Sequence, residues 1–205
     1  MGILLKIHPV TPSLRLIINA VDILKNDGVI IYPTDSVYAL GCSMNSKKAL
    51  ERLALFKGIN LSKSRFSFIC KDLTDISEYT LPFGTSIFKL IKRNIPGPFT
   101  FILPASRKVP KIFENSKKTI GLRIPDNNIL KAIVENLGNP LVTTSIHDED
   151  EIIEYTTDPE LIWDRYKNRV DLVIDGGFGD NHPTAVIDLT SGEPVVIREG
   201  VQSLI

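Results

Sequence analysis

Four places in the chain put polar, chemistry-bearing side chains at the end of an apolar run. They are Thr34, Asp35 and Ser36 after "VIIYP", Arg123 before Ile124 and Pro125, Thr143 to Ser145 within "PLVTTSI", and Arg198 before Glu199 and Gly200. Hydroxyls both donate and accept hydrogen bonds, and a guanidinium offers five donors in a planar fork that fits a carboxylate or a phosphate. An unpaired charge inside an apolar run is costly, so Arg123 and Arg198 each require an anion or a carboxylate of the protein itself. For either arginine alone a structural ion pair serves as well as a ligand. Two arginines with two hydroxyl clusters suit a small zwitterion together with a phosphate. In a strand, residues two apart share a face, so Thr143 and Ser145 point one way and Thr144 the other. Asp35, directly after Pro33-Thr34, reads as a turn residue bonded to its own backbone and holding Thr34, ahead of a catalytic role.

Those clusters need strands to carry them. Proline cannot continue a central ladder, so the strand from Val29 stops at Tyr32 and the hydroxyls of Thr34 and Ser36 emerge at its mouth, where open α/β sheets bind ligands. Before it, Thr11 and Pro12 open a helix with apolar residues at helical spacing up to Gly28. Ser46 caps a second helix through about Phe56. "RFSFIC", "FTFILP", "TIGLRI" and "PLVTTSI" read as strands, Thr85 to Arg93 as a helix, and Asn127 to Leu137 as a capped helix stopped by Gly138. Asp158-Pro159 opens one more helix, and "VDLVID", "AVIDL" and "PVVIR" finish the chain in strands. Strands interleaved with helices predict an α/β fold, with neighbouring strands near the end making part of the sheet antiparallel.

With 205 residues and 43% hydrophobic content, the chain can bury a full core, and it reads as a single domain over residues 1–205. No stretch approaches the roughly 20 apolar residues of a membrane helix, so neither a membrane partner nor any place other than the cytoplasm is expected. Cys42 and Cys70 lack metal-ligand spacing and are expected as buried thiols; no His/Cys/Asp cluster suggests a protein-bound metal. Net charge is zero, yet residues 57–131 carry fourteen Lys and Arg against five Asp and Glu, a balance of +9 that the remainder offsets. Such polarity suits a polyanion, either nucleotide phosphates or RNA, and is equally what scattered, solvated lysines produce.

Seven segments then fall in order: "YPTDSVYALG", "PGPFTFILP", "TIGLRIPDN", "PLVTTSI", "VDLVIDGG", "PTAVIDLT" and "VVIREG". In that order and spacing the chain resembles the YrdC-like family over about residues 30 to 200, and within it the YciO branch most. The resemblance implies an open, twisted mixed parallel and antiparallel sheet with flanking helices and a concave positive cavity. It also implies the activity of the family's best-known members, which make L-threonylcarbamoyl-AMP from threonine, bicarbonate and ATP with Mg²⁺ for the t6A modification of tRNA. Carried over residue by residue, it assigns Thr34, Arg123, Thr143 and Thr184 to the amino acid, and Lys57, Thr119, Ser145 and Arg198 to ATP. Lys57 and Arg198 then act as catalytic cations on the leaving pyrophosphate, a positional and electrostatic role.

Two positions depart from that pattern. The synthases carry Lys-x-Arg and Ser-x-Asn, whereas here "KGIN" puts Ile59 at the arginine and "SIH" puts His147 at the asparagine. Arg65 aligns near an ATP position and either replaces the lost guanidinium or stands solvated at a strand entrance. His147 is either an exposed loop residue or a donor to phosphate. Two readings follow: a synthase-type enzyme acting on threonine or a related small amine, and a module that binds tRNA or double-stranded RNA through the same basic concavity.

Overall fold

The computed structural model describes residues 1–58, 66–113, 117–146 and 156–205. Gly28, whose amide bonds the Ile23 carbonyl at 2.9 Å, turns the chain out of α1 (Leu14–Lys25) into β2 (Val29–Tyr32). The helix begins after Ser13 rather than at Thr11, and Ser13 makes no side-chain cap bond. Two strands escape the sequence reading, β1 (Ile3–Lys6) and β3 (Ala39–Ser43). The first has no clean alternation of exposure, and the second is buried throughout, so neither shows period two.

The following elements match the sequence reading in type and nearly in bounds. They are α2 (Lys47–Phe56), β4 (Ser67–Ile69), α4 (Thr85–Arg93), β5 (Phe99–Pro104), β6 (Thr119–Arg123), α5 (Asn128–Leu137) and β7 (Leu141–Ser145). α6 (Pro159–Tyr166), β8 (Leu172–Asp175), β9 (Ala185–Asp188) and β10 (Val195–Arg198) complete the chain. Caps explain the precision: Ser46 accepts from Ala49 N, Asn127 from Leu130 N and Asp158 from Glu160 N, while Gly138 takes the left-handed conformation at φ 76°. Among the described residues the sequence reading missed the short 3-10 turn Lys111–Phe113 and α3 (Leu73–Tyr79), which is capped by Asp72, accepting from both Thr74 N and Asp75 N.

The ten strands of the described residues form one mixed sheet in the order β1-β8-β2-β3-β7-β4-β6-β5-β9-β10. Antiparallel pairs are spread through it (β2 with β3, β3 with β7, β7 with β4, β5 with β6) rather than confined to the end. One face is apolar from edge to edge, with Val29, Ile31, Leu40, Val142, Phe68, Leu122, Phe101 and Ile187 packed under helices α2, α3, α4 and α6. The opposite face divides. Over β8, β2, β3 and the start of β7 it carries Leu172, Ile174, Ile30, Tyr32, Ala39 and Leu141, buried beneath α1 and α5. Over the start of β4, β6, β5 and β9 it carries Ser67, Thr119, Gly121, Ile102 and Val186, all half-buried and outside that buried cluster, which reaches β4 at Ile69. Both cysteines are buried thiols, Cys42 pushed up to about 12 by burial and Cys70 raised by the same cause, so neither is a nucleophile.

Candidate functional site

The uncovered half of the sheet is floored by one cross-strand row. Thr143 pairs with Ser67, Ser67 with Gly121, Gly121 with Ile102, and Ile102 with Asp188. Paired residues share a face, so the small side chains of Thr143, Ser67 and Gly121 line up across three adjacent strands and leave a hollow, with Ile102 and Asp188 continuing the row. A Cβ on Gly121 would meet Ser67 Oγ at 2.6 Å and Thr100 Cγ2 at 3.3 Å. Thr119 and Ser145 look onto the same half from the ends of β6 and β7, Ser145 exposed and Thr119 half-buried.

Arg123 and Arg198 border this hollow. Arg123, at the end of β6, is buried at 7% exposure, and its Nη2 donates to Asp35 Oδ1 at 2.9 Å and to Ser36 Oγ at 3.3 Å. The other Asp35 oxygen accepts from Asp126 N at 2.9 Å. Asp35 takes partners other than the turn backbone expected of it: it clamps Arg123 and the loop before α5, and Thr34 makes the local turn. Thr34 Oγ1 accepts from Ser36 N at 3.0 Å and donates to Val37 O at 2.8 Å. Its hydroxyl is used inside that turn, and Ser36 is buried at 1% exposure, so neither hydroxyl emerges freely at the strand mouth. Burial pulls the Arg123 guanidinium below its ordinary pKa, against the opposing pull of Asp35. Arg123 Nε is a buried donor with no hydrogen-bond partner among the described residues. A donor left that way in a buried ion pair is an open valence for an anion.

Arg198 is held differently. Its Nε and Nη2 donate to the Thr184 carbonyl at 3.1 and 2.9 Å, and Nη2 also reaches Thr184 Oγ1 at 3.2 Å. Thr184 in turn lies 3.4 Å from Thr100 Oγ1. Gly200 allows this approach, since a Cβ there would collide with the backbone of Thr184 and Ala185. Burial first, and then the positive charge of Arg123, lowers the Arg198 pKa. The two guanidiniums thus feel each other, and among the described residues the carboxylate bound to them is Asp35 on Arg123. An anion lying between them would relieve that repulsion.

Of the residues singled out by sequence, Arg123, Thr143, Thr184, Arg198, Thr119 and Ser145 lie on or beside the uncovered half. Lys57 ends α2, whose Leu50 and Leu53 pack on the other face of the sheet. Ile59, Arg65 and His147 lie outside the described residues. Tyr32 and Thr100 belong to the site and were not singled out. Their only sequence signal is position: Tyr32 precedes the Pro-Thr-Asp turn, and Thr100 interrupts the apolar alternation of "FTFIL". No group of metal-ligating side chains occurs among the described residues, and none of their helices is long and apolar enough to cross a membrane.

Residues 22–200 match the model of the Sua5/YciO/YrdC family, whose description reads "Telomere recombination". YciO of Escherichia coli (strain K12), itself uncharacterized, is 45% identical over 197 residues, covering 95% of this chain and 94% of that protein. Its crystal structure superposes with a TM-score of 0.91 at 43% identity, covering 99% and 98% of the two chains. A threonylcarbamoyl-AMP synthase of Coxiella burnetii is 29% identical over 176 residues, covering 85% of this chain and 93% of the enzyme. The crystal structure of P. abyssi Sua5 complexed with L-threonine shares the fold at a TM-score of 0.86 and 23% identity, covering 97% of this chain and 58% of that one.

Proposed function

Since the chain belongs to the Sua5/YciO/YrdC family, we propose that its uncovered half-face binds L-threonine or a related small amine next to ATP and performs the adenylyl transfer of a threonylcarbamoyl-AMP synthase, in support of tRNA t6A modification. The observation that carries this reading is that Arg123 and Arg198 lie on one sheet face beside the hollow, with Asp35 as the carboxylate bound to Arg123. Arg123 and Thr143 would receive the amino acid's carboxylate, with Thr34 and Thr184 bounding its place. Arg198, Thr119 and Ser145 would receive the nucleotide, which arrives with Mg²⁺ as its substrate complex.

Bicarbonate carboxylates the amine with loss of water. The new carbamate oxygen then attacks the α-phosphate, and the bond to pyrophosphate breaks. Charge grows on the leaving pyrophosphate, so a cation such as Arg198 acts mainly in the transition state. Incubation with ATP, bicarbonate and L-threonine, followed by mass spectrometry, tests the reading. Threonylcarbamoyl-AMP and pyrophosphate are expected, and their absence with intact L-threonine binding would point to a different amine.

One observation favours a second reading. Between β5 and β6 the chain exposes Arg107, Lys108, Lys111, Lys117 and Lys118, a basic lip that suits the phosphates of structured RNA. Binding of that kind weakens steeply with salt, whereas small-molecule binding in the hollow changes far less.

A further inference from the structure

The ring of Tyr32 is fully buried in the core beneath α1 and α5, but its hydroxyl looks across two strands. It donates to Thr143 Oγ1 at 2.7 Å. Residue 41 makes room for it by being glycine: a Cβ there would lie 2.5 Å from Tyr32 Oη and 3.0 Å from Cε1. A chain that needed only an apolar strand end would place Phe at 32 and avoid burying a phenol that requires a partner. Burial raises the Tyr32 pKa well above its ordinary value, with the Thr143 hydrogen bond and then Arg123 opposing. At neutral pH the phenol keeps its proton and donates.

A threonine hydroxyl has one proton and two lone pairs. With a lone pair engaged by Tyr32, and no other hydrogen bond of the Thr143 side chain among the described residues, its own proton remains to be given. We propose that Tyr32 is a positioning residue of the amino-acid site, which fixes the Thr143 hydroxyl as a donor toward the carboxylate of the bound amino acid. This rests on the reading above that Arg123 and Thr143 hold that carboxylate. Arg123 Nε, a donor without a partner among the described residues, makes the same demand from the neighbouring strands. A carboxylate can accept from both of these donors, whereas an amide's NH₂ would face one of them. Tyr32 is thereby a determinant of selectivity as well as of affinity.

Calorimetric titration of L-threonine, L-threoninamide and ATP into wild type, Tyr32→Phe, Thr143→Val and the double variant tests it. Tyr32→Phe is expected to weaken L-threonine about tenfold, to narrow its preference over L-threoninamide, and to leave ATP affinity unchanged. In the Thr143→Val background the same change is expected to do nothing more to L-threonine. Unchanged L-threonine affinity in Tyr32→Phe overturns this inference alone. Equal loss in both backgrounds also overturns it, since Tyr32 would then act through packing. No L-threonine binding by wild type overturns the amino-acid reading and this inference with it. If Tyr32→Phe does not fold, Thr143→Ser against Thr143→Val makes the comparison: serine is expected to keep the preference for L-threonine, and equal behaviour of the two overturns the proposal.

Discussion

One sheet face, with one pleat and continuous hydrogen bonding, is treated in two ways. Over β8, β2 and β3 it bears Leu172, Ile174, Ile30 and Tyr32, closed by Ile17, Val21, Ile129 and Ile133 from α1 and α5. Over β4, β6, β5 and β9 it bears Ser67, Gly121, Thr119, Ile102 and Val186, with Arg123 and Arg198 at one end. Helical cover selects large branched side chains, because each buried one adds roughly 1.5–3 kcal/mol. Where no helix lies, small and polar residues keep the floor low, and charge gathers at its edge. The two halves meet at Tyr32, whose ring belongs to the covered side and whose hydroxyl serves the open one. Stability and binding are thus separable by position along a single face.

The comparison is broken most severely at the buried ion pair. Asp35→Ala leaves the Arg123 guanidinium buried without its carboxylate and is expected to cost about 3–5 kcal/mol in urea unfolding. Asp35→Asn, which keeps an acceptor, is expected to cost less. Next comes the covered half: Ile133→Ala, at 0% exposure, is expected to lose about 2–5 kcal/mol of stability with ATP affinity unchanged in the surviving folded protein. Arg198→Ala is the reverse case, because its guanidinium rests on the Thr184 carbonyl. It is expected to weaken ATP about tenfold or more by calorimetry while shifting stability by less than about 1 kcal/mol; unchanged ATP affinity would remove Arg198 from the nucleotide site. Smallest is the cap of α5: Asn127→Ala removes the acceptor for Leu130 N and is expected to cost about 1 kcal/mol, with no effect on either ligand.

The legible parts of the sequence are those with local causes. Ser46, Asn127, Asp158 and Gly138 mark helix ends by chemistry that works within four residues, and the strands carrying Arg123, Thr143 and Arg198 alternate or run apolar between turn residues. β3 was hidden because it is buried on both faces and follows a turn without glycine or asparagine. The partner of Arg123 was hidden for another reason. Asp35 stands 88 positions away, and only the fold brings the two together. The expectation that Arg123 needs a carboxylate or an anion was right as physics, yet it did not say which, and the structure gives it Asp35 with one donor still open. Tyr32 escaped because an aromatic at the end of an apolar run has packing as its ordinary explanation.

The central claim is that the uncovered half of the sheet, and not its covered half, receives small anionic ligands. Amide resonances of the isotope-labelled protein, recorded with and without ATP and L-threonine, test it directly. Shifts are expected at Thr119 to Arg123, at Thr143 to Ser145 and from Thr184 to Arg198, with α1 and the exposed side of α5 unmoved. Unchanged resonances in those three segments, or changes confined to α1 and α5, would contradict it.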